Sequence, residues 1–282
     1  MEIGIVGLGL IGGCLGIDLS RRGHGVTGIA RHEETCRQAL ERGIVQRAGS
    51  DFRLLGAAEV VFICTPIAQI GAVVEAIAPY LDPEAIVTDV GSVKAPVIAA
   101  ARPHWPRFLG GHPMAGKAEA GLEAAEAHLF RQRPYVITPG PDTPAADLDI
   151  LKSLVADLES RLYLCDPTDH DQAVAWISHL PVMVSSSLIH ACLQEPEADR
   201  LRLAQALASS GFRDTSRVGG GPPELGLMMA RYNREALLNT LAAYQRAIAQ
   251  VSQLIQTEDW SALERHLQES QTGRLPFVAP RE

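Results

Sequence analysis

The sequence predicts an α/β domain followed by an all-helical domain. Three observations carry this. Short apolar runs alternate with helical stretches up to about Cys165. A glycine-rich turn joins the first run to the first helix. From about Thr168 the strand pattern disappears.

Glu2–Val6 is a short apolar run that reads as a buried parallel strand. Gly7-Leu8-Gly9-Leu10-Ile11-Gly12 follows at once and opens an apolar helix to about Arg22. A second strand is expected at Val26–Ala30. This strand-turn-helix-strand setting is what a dinucleotide-binding glycine motif requires. Gly7 permits the tight turn, Gly9 lets a pyrophosphate approach the backbone, and Gly12 allows close packing of helix on strand. The free N–H groups of the helix start, with its positive dipole end, then face the phosphates. A Rossmann-like dinucleotide-binding domain over residues 1–165 follows, with Gly7, Leu8, Gly9, Leu10, Ile11 and Gly12 as its phosphate turn.

The end of the second strand bears on which cofactor is used. An Asp or Glu there suits the ribose 2′-hydroxyl of NAD. This chain has Ile29-Ala30-Arg31-His32 instead. Arg31 can pair with a 2′-phosphate through charge-assisted hydrogen bonds, so the expected cofactor is NADP.

Glu59–Cys64 reads as a third strand ending in Thr65-Pro66. Ala68–Tyr80 reads as a helix, and Ala85–Val90 as a fourth strand. The turn Gly91-Ser92-Val93-Lys94 then leads into another helix, with Ser92 expected as its N-cap, as a ligand contact, or as both. Thr65, Pro66 and Ser92 lie at carboxyl ends of strands, where ligands bind in such sheets. Arg107–Gly110 is expected to be a strand delivering the loop Gly110-Gly111-His112-Pro113-Met114-Ala115-Gly116. That loop has little side chain besides His112 and Met114, so it presents one imidazole, the side chain best suited to proton transfer near neutral pH. Strands at Pro134–Thr138 and Arg161–Leu164 complete the domain.

Residues 166–282 read as helices: Asp169–Gln194, Glu197–Phe212, Pro223–Arg231, Arg234–Gln256 and Glu258–Gln271. Their apolar faces exceed what one small domain covers, so a homodimer through this half is expected. Ser178-His179-Leu180-Pro181 places His179 beside a proline kink. Gly211–Pro222 reads as a polar loop whose Arg213 and Arg217 suit a substrate carboxylate, with one of them spent on Asp214 or a helix end. Leu275–Glu282 reads as a loose tail.

Bulk properties narrow the class. The 282 residues are 46% hydrophobic and 21% charged with net charge −8, which argues against a nucleic-acid footprint. The five cysteines show no zinc or CxxC spacing and suit reduced thiols in a cytoplasmic protein; no metal site is expected. The N-terminal apolar stretch is broken by Gly-x-Gly, unlike a signal peptide. The apolar run Leu180–Leu193 is short and interrupted by polar residues, so no membrane span is expected.

The ordered set GLGLIGG, VGSVK, GGHPMAG, SHLP and FRDTSR resembles the prephenate/arogenate dehydrogenase family of tyrosine biosynthesis over about residues 1–270. The resemblance implies a Rossmann-like domain, a helical dimerisation domain, and oxidative decarboxylation of a cyclohexadienol to a phenol. It implies that His112 accepts the proton of the ring 4-hydroxyl, that Ser92 orients His112 and the same hydroxyl, that Arg217 holds a substrate carboxylate, and that His179 lines the pocket. Many prephenate-preferring members read SHLPH; this chain has Val182 after the proline, which implies arogenate as substrate, and with Arg31 the expected enzyme is an NADP-dependent arogenate dehydrogenase. The alternatives are a prephenate dehydrogenase, or a reductase of the β-hydroxyacid or imine type. The latter generally relies on a lysine, or on a tyrosine or aspartate, in its helical half, and no lysine follows Lys152.

Overall fold

A computed structural model describes residues 1–117 and 119–278. Eight strands form one sheet in the order β3-β2-β1-β4-β5-β6-β7-β8. They are β1 (Glu2–Val6), β2 (Gly25–Ile29), β3 (Arg47–Gly49), β4 (Val60–Ile63), β5 (Ile86–Asp89), β6 (Phe108–Pro113), β7 (Pro134–Thr138) and β8 (Arg161–Leu164). The order 3-2-1-4-5-6 is that of a doubly wound dinucleotide-binding sheet. Strands β1 to β6 run parallel, β7 pairs antiparallel with β6, and β8 runs parallel to β7.

The central strands are buried on both faces: every residue of β4 and β5 is buried, as is β1 from Ile3 to Val6. Helices α1 (Leu10–Arg21), α2 (Glu33–Glu41), α3 (Ile70–Ile77), α4 (Ala95–Ala101) and α5 (Ala145–Asp157) supply the cover. Leu15 and Leu19 of α1 join Leu151 and Leu154 of α5 in one core cluster. Ile70, Val74 and Ile77 of α3 join Val97 and Ala101 of α4 in another.

The helical part begins with α6 (Pro167–Val174). A π-helical turn (Ala175–His179) and α7 (Leu180–Leu193) continue it without a break. The expected kink thus takes the form of a widened turn. Pro181 lacks an N–H, and its ring would clash with the carbonyl of Ile177 in a regular α-helix. Because α6 and α7 form one run, Pro167–Leu193 has 27 residues and a mean hydropathy of 1.3, long and apolar enough to cross a membrane. This corrects the expectation from length. What argues against a span is the packing of His170 and Asp171 onto β6 and α4, described below.

Helices α8 (Ala198–Leu207), α9 (Ser210–Ser216) and α10 (Pro223–Tyr232) follow. The segment read as a polar loop is therefore largely helical, with a 3₁₀ turn at Arg217–Gly220. Ser185 of α7 explains this. Its hydroxyl donates to Thr215 O at 2.9 Å and accepts the Gly219 N–H at 2.8 Å, clamping the segment to α7.

Chain packing yields two compact units, Met1–Arg234 and Glu235–Glu282. The second holds nearly all of α11 (Arg234–Gln256), then α12 (Trp260–Gly273) and α13 (Leu275–Val278). Asp259 caps α12 by accepting the Ala262 N–H at 3.0 Å. Part of the expected tail is the short helix α13; residues 279–282 lie outside the described residues.

Candidate active site

The glycine turn meets its geometric requirements. Gly7 has φ +104°, and a side chain there would press to 2.8 Å on the Cys64 backbone. A Cβ on Gly12 would stand 2.0 Å from Gly7 O, so only glycine lets α1 pack on the turn. Gly9 is the N-cap of α1 with no side-chain cap, and nothing lies within 4 Å of where its Cβ would point.

A cleft of about 540 Å³ opens there, lined by Gly7, Leu8, Gly9, Arg31, His32, Thr35, Ser50, Thr65, Pro66 and Gln69 among others. Thr65 Oγ1 is buried on this cleft with no hydrogen-bond partner among the described residues. Arg31 is exposed and makes no ion pair among the described residues. An uncapped helix start and an unsatisfied hydroxyl fit a dinucleotide phosphate group, with an exposed guanidinium at the rim of the cleft. Leu10, Ile11, Gly12 and Ser92 do not line this cleft; Leu10, Ile11 and Gly12 contribute as the first turn of α1. His32, Thr35, Ser50 and Gln69 were not singled out from sequence, because polar residues at strand ends and helix starts look the same with or without a ligand.

His112 does not lie in a loop. It is in β6, opposite Val136 of β7. Glycine disfavours strands, but here the sheet needs it: a Cβ on Gly110 would stand 2.5 Å from Thr138 Oγ1, and one on Gly111 2.7 Å from Asp89 O. Crowding around these two residues selects glycine, and the cross-strand ladder overrides local preference.

His112 is 7% exposed. Its Nδ1 lies 2.9 Å from His170 Nε2, with the rings edge to face. His170 Nδ1 in turn lies 2.8 Å from Asp171 Oδ1. Burial holds the His112 imidazole well below the ordinary histidine range, helped by the positive charges that His170, Lys94 and His179 can carry.

Asp171 also caps a helix it does not belong to. It accepts the Lys94 N–H at 2.7 Å and the Ala95 N–H at 2.9 Å. Ser92 was expected to cap α4, but the N-cap position is Lys94, and the orphan amides take Asp171 instead. The Ser92 hydroxyl makes no hydrogen bond among the described residues; the observed partner of His112 is His170. Lys94 is fully buried with its ammonium on the Asp89 carboxylate and on Gly111 O at 2.6 Å. Burial lowers the lysine and raises the aspartate, and each offsets the other. The pair ties β5 to the strand carrying His112, since Asp89 also accepts the Gly111 N–H at 3.1 Å.

His179, at the end of the π turn, is fully buried. Its Nδ1 lies 3.1 Å from Asn233 Nδ2, which also donates to Asp171 O at 2.7 Å. Its Nε2 has no partner among the described residues, and burial lowers its pKa to about 4. Arg217 begins the turn clamped to α7; it is exposed and free of ion pairs among the described residues. Arg213 is exposed and pairs with Asp214 at 3.3 Å, the arrangement expected for one of the two arginines. Val182 lines a groove of about 550 Å³ with Met183, Ser186 and Gly226.

Sequence reading missed His170, Asp171, Asn233, Asp89 and Lys94. The signal was Asp169-His170-Asp171 in the first turn of a helix already capped by Asp166. Ionic residues there look like ordinary first-turn charges.

Comparison with known proteins gives the family of this chain. The nucleotide-binding domain of prephenate dehydrogenase matches residues 15–164, and the dimerization domain of the same family matches 166–269. A prephenate dehydrogenase of Bacillus subtilis is 31% identical over 278 residues, 96% of this chain and 74% of that protein. The crystal structure of a Synechocystis arogenate dehydrogenase superposes with a TM-score of 0.91 at 52% identity, covering 99% of this chain and all of that one. A prephenate dehydrogenase from Aquifex aeolicus, in complex with hydroxyphenyl propionate and NAD+, has a TM-score of 0.91 at 24% identity and shares the fold over 98% of both chains. With two family domains over most of its length, this chain belongs to the prephenate dehydrogenase family, oxidoreductases of tyrosine biosynthesis with a nucleotide-binding domain and a helical dimerization domain.

Proposed function

We propose that the chain catalyses NADP-dependent oxidative decarboxylation of arogenate to tyrosine, with His112 as the base toward the ring 4-hydroxyl. The observation that carries this is the buried His112 on β6 with its Nδ1 engaged by His170. Asp171 only accepts, so His170 carries its proton on Nδ1 and its Nε2 accepts from His112 Nδ1–H. His112 Nε2 is then left as the lone-pair nitrogen.

When bound, the nicotinamide supplies a hydride acceptor for the ring carbon bearing the hydroxyl. Every other contribution comes from the chain. His112 takes the hydroxyl proton as that oxygen becomes acidic, an effect typically worth ~10²–10⁴-fold. Ser92, at the carboxyl end of β5, orients the same hydroxyl. Arg217, free of ion pairs, positions a substrate carboxylate, and His179 adds an unpaired buried nitrogen to the pocket. Clamping the departing carboxylate tightly would oppose its loss, so the role of Arg217 is positioning. Arg31 holds the 2′-phosphate, and Thr65 and Pro66 border the cofactor.

Arogenate is favoured by Val182 in place of a second histidine and by the 52% identity with an arogenate dehydrogenase. Prephenate is the second reading, favoured by the relatives that carry that name. The functional division is placed between 165 and 166, which the family-domain limits support. A homodimer through residues 166–282 is supported by the description of that domain and by exposed Trp176, Ile177 and Leu207. The five thiols are free, which suits the cytoplasm. The test is kcat/KM for arogenate and prephenate, each with NADP and NAD. Arogenate with NADP should be fastest; a preference for prephenate or NAD would overturn that part of the assignment.

A further inference from the structure

We propose that His112 does not keep the proton it accepts: His170 is the second member of a proton relay, anchored by Asp171. The inference rests on the reading of His112 as the base. It adds His170 and Asp171, which lie 58 and 59 positions further along the chain on α6.

The need for a relay follows from burial. A proton on His112 alone places a cation in a site that is 7% exposed and faced by Lys94 and His179, with Asp89 already engaged by Lys94. The nearby carboxylate not paired with lysine is Asp171, and it touches His170. A cation on His170 is one hydrogen bond from that carboxylate; a cation on His112 is two away.

The proton balance is simple. The substrate O–H bond breaks and a bond from that hydrogen to His112 Nε2 forms. The His112 Nδ1–H bond breaks and a His170 Nε2–H bond forms across the 2.9 Å contact. Asp171 stays ionised and holds His170 Nδ1–H throughout. His112 ends neutral as its other tautomer, and His170 ends as an imidazolium paired with Asp171. After product leaves, the same path in reverse returns the proton to the emptied pocket. The geometry supports this direction because Asp171 is itself fixed. Both its oxygens accept backbone N–H groups of the α4 start, so it cannot rotate away, and Asn233 holds its backbone carbonyl.

The test uses the full-length enzyme with whichever of arogenate or prephenate the wild type turns over faster. His170→Gln keeps an oxygen able to accept His112 Nδ1–H but cannot take a proton. Its kcat should fall about 10–100-fold with little change in KM, as for loss of a supporting partner. In mixtures of H₂O and D₂O, the wild-type kcat should curve with deuterium fraction, reporting two protons in flight, and His170→Gln should give a straight line. A straight line for the wild type, or wild-type kcat in His170→Gln, overturns the relay. ¹⁵N NMR of the wild-type protein should show both His112 and His170 protonated on Nδ1. Protonation of His112 on Nε2 overturns it without any variant. If His112→Asn retains wild-type turnover, the base reading fails first and the relay with it. If that variant is inactive while His170→Gln is fully active, the relay alone fails.

Discussion

Asp171 accepts the backbone N–H of Lys94 at 2.7 Å, across 77 positions of sequence. One carboxylate thereby caps the helix after β5 and holds the histidine that touches His112. Helix start, His112 and helical segment share one hydrogen-bonded centre, so changes at these positions should separate into chemical and structural effects.

His112→Asn removes the proposed base and alters no residue lining the cofactor cleft. Its kcat should fall by ~10²–10⁴-fold, while NADP affinity measured by fluorescence titration stays at the wild-type value. Near-normal turnover would contradict the assignment.

Stability should fall on acidification. His112 lies well below the ordinary histidine range in the folded chain and His179 is lowered to about 4, whereas both titrate near pH 6.5 once unfolded. Below about pH 6.5 the unfolded chain binds more protons than the native one, so stability is lost as pH falls toward 4, by about 1.4 kcal/mol per pH unit for each such histidine. Urea denaturation at a series of pH values measures this. His179→Asn should show a shallower slope; an unchanged slope would contradict the role given to burial.

Arg31→Ala should erase the proposed preference for NADP. Loss of a charge-assisted contact worth about 1.5–3 kcal/mol raises KM for NADP by about 10–150-fold and leaves NAD unaffected. Equal effects on both cofactors would place the 2′-phosphate elsewhere.

The two arginines of the FRDTSR segment should differ. Arg217→Ala should raise substrate KM more than it lowers kcat, as the proposed positioning role requires. Arg213→Ala should stay close to wild type, because its exposed pair with Asp214 contributes only about 0–1 kcal/mol. Steady-state kinetics of both variants decide this.

Lys94→Met leaves the buried Asp89 charge uncompensated. It should destabilise the protein by about 3–5 kcal/mol in chemical denaturation. Adding Asp89→Asn should recover part of that loss; if the double variant is no better, the pair is not coupled as the structure indicates.

Much of the fold was legible in the sequence because its signals are local. The apolar runs at Glu2–Val6 and Pro134–Thr138 match their strands in full. Gly7 and Gly12 announce a turn that no other residue can make. The short strand β3 was missed because Arg47-Ala48-Gly49 carries no apolar period and is held by pairing with β2. Ser92 was misread as a cap because capping preference is a local statistic, whereas the amides of α4 are taken by a carboxylate from another element.

The sequence by itself determined the α/β-then-helical order, the dinucleotide turn, the family, and His112 as the centre of interest. Tertiary structure decided that His112 lies on a strand instead of a loop, that His170 and not Ser92 is its partner, and that the kink at Pro181 is a π turn. The reason is physical. Glycine spacing and hydrophobic period act over a few residues and leave a mark in the chain. The network His112–His170–Asp171–Lys94 joins strand β6, helix α6 and the start of α4, and its members become neighbours only once the sheet has closed.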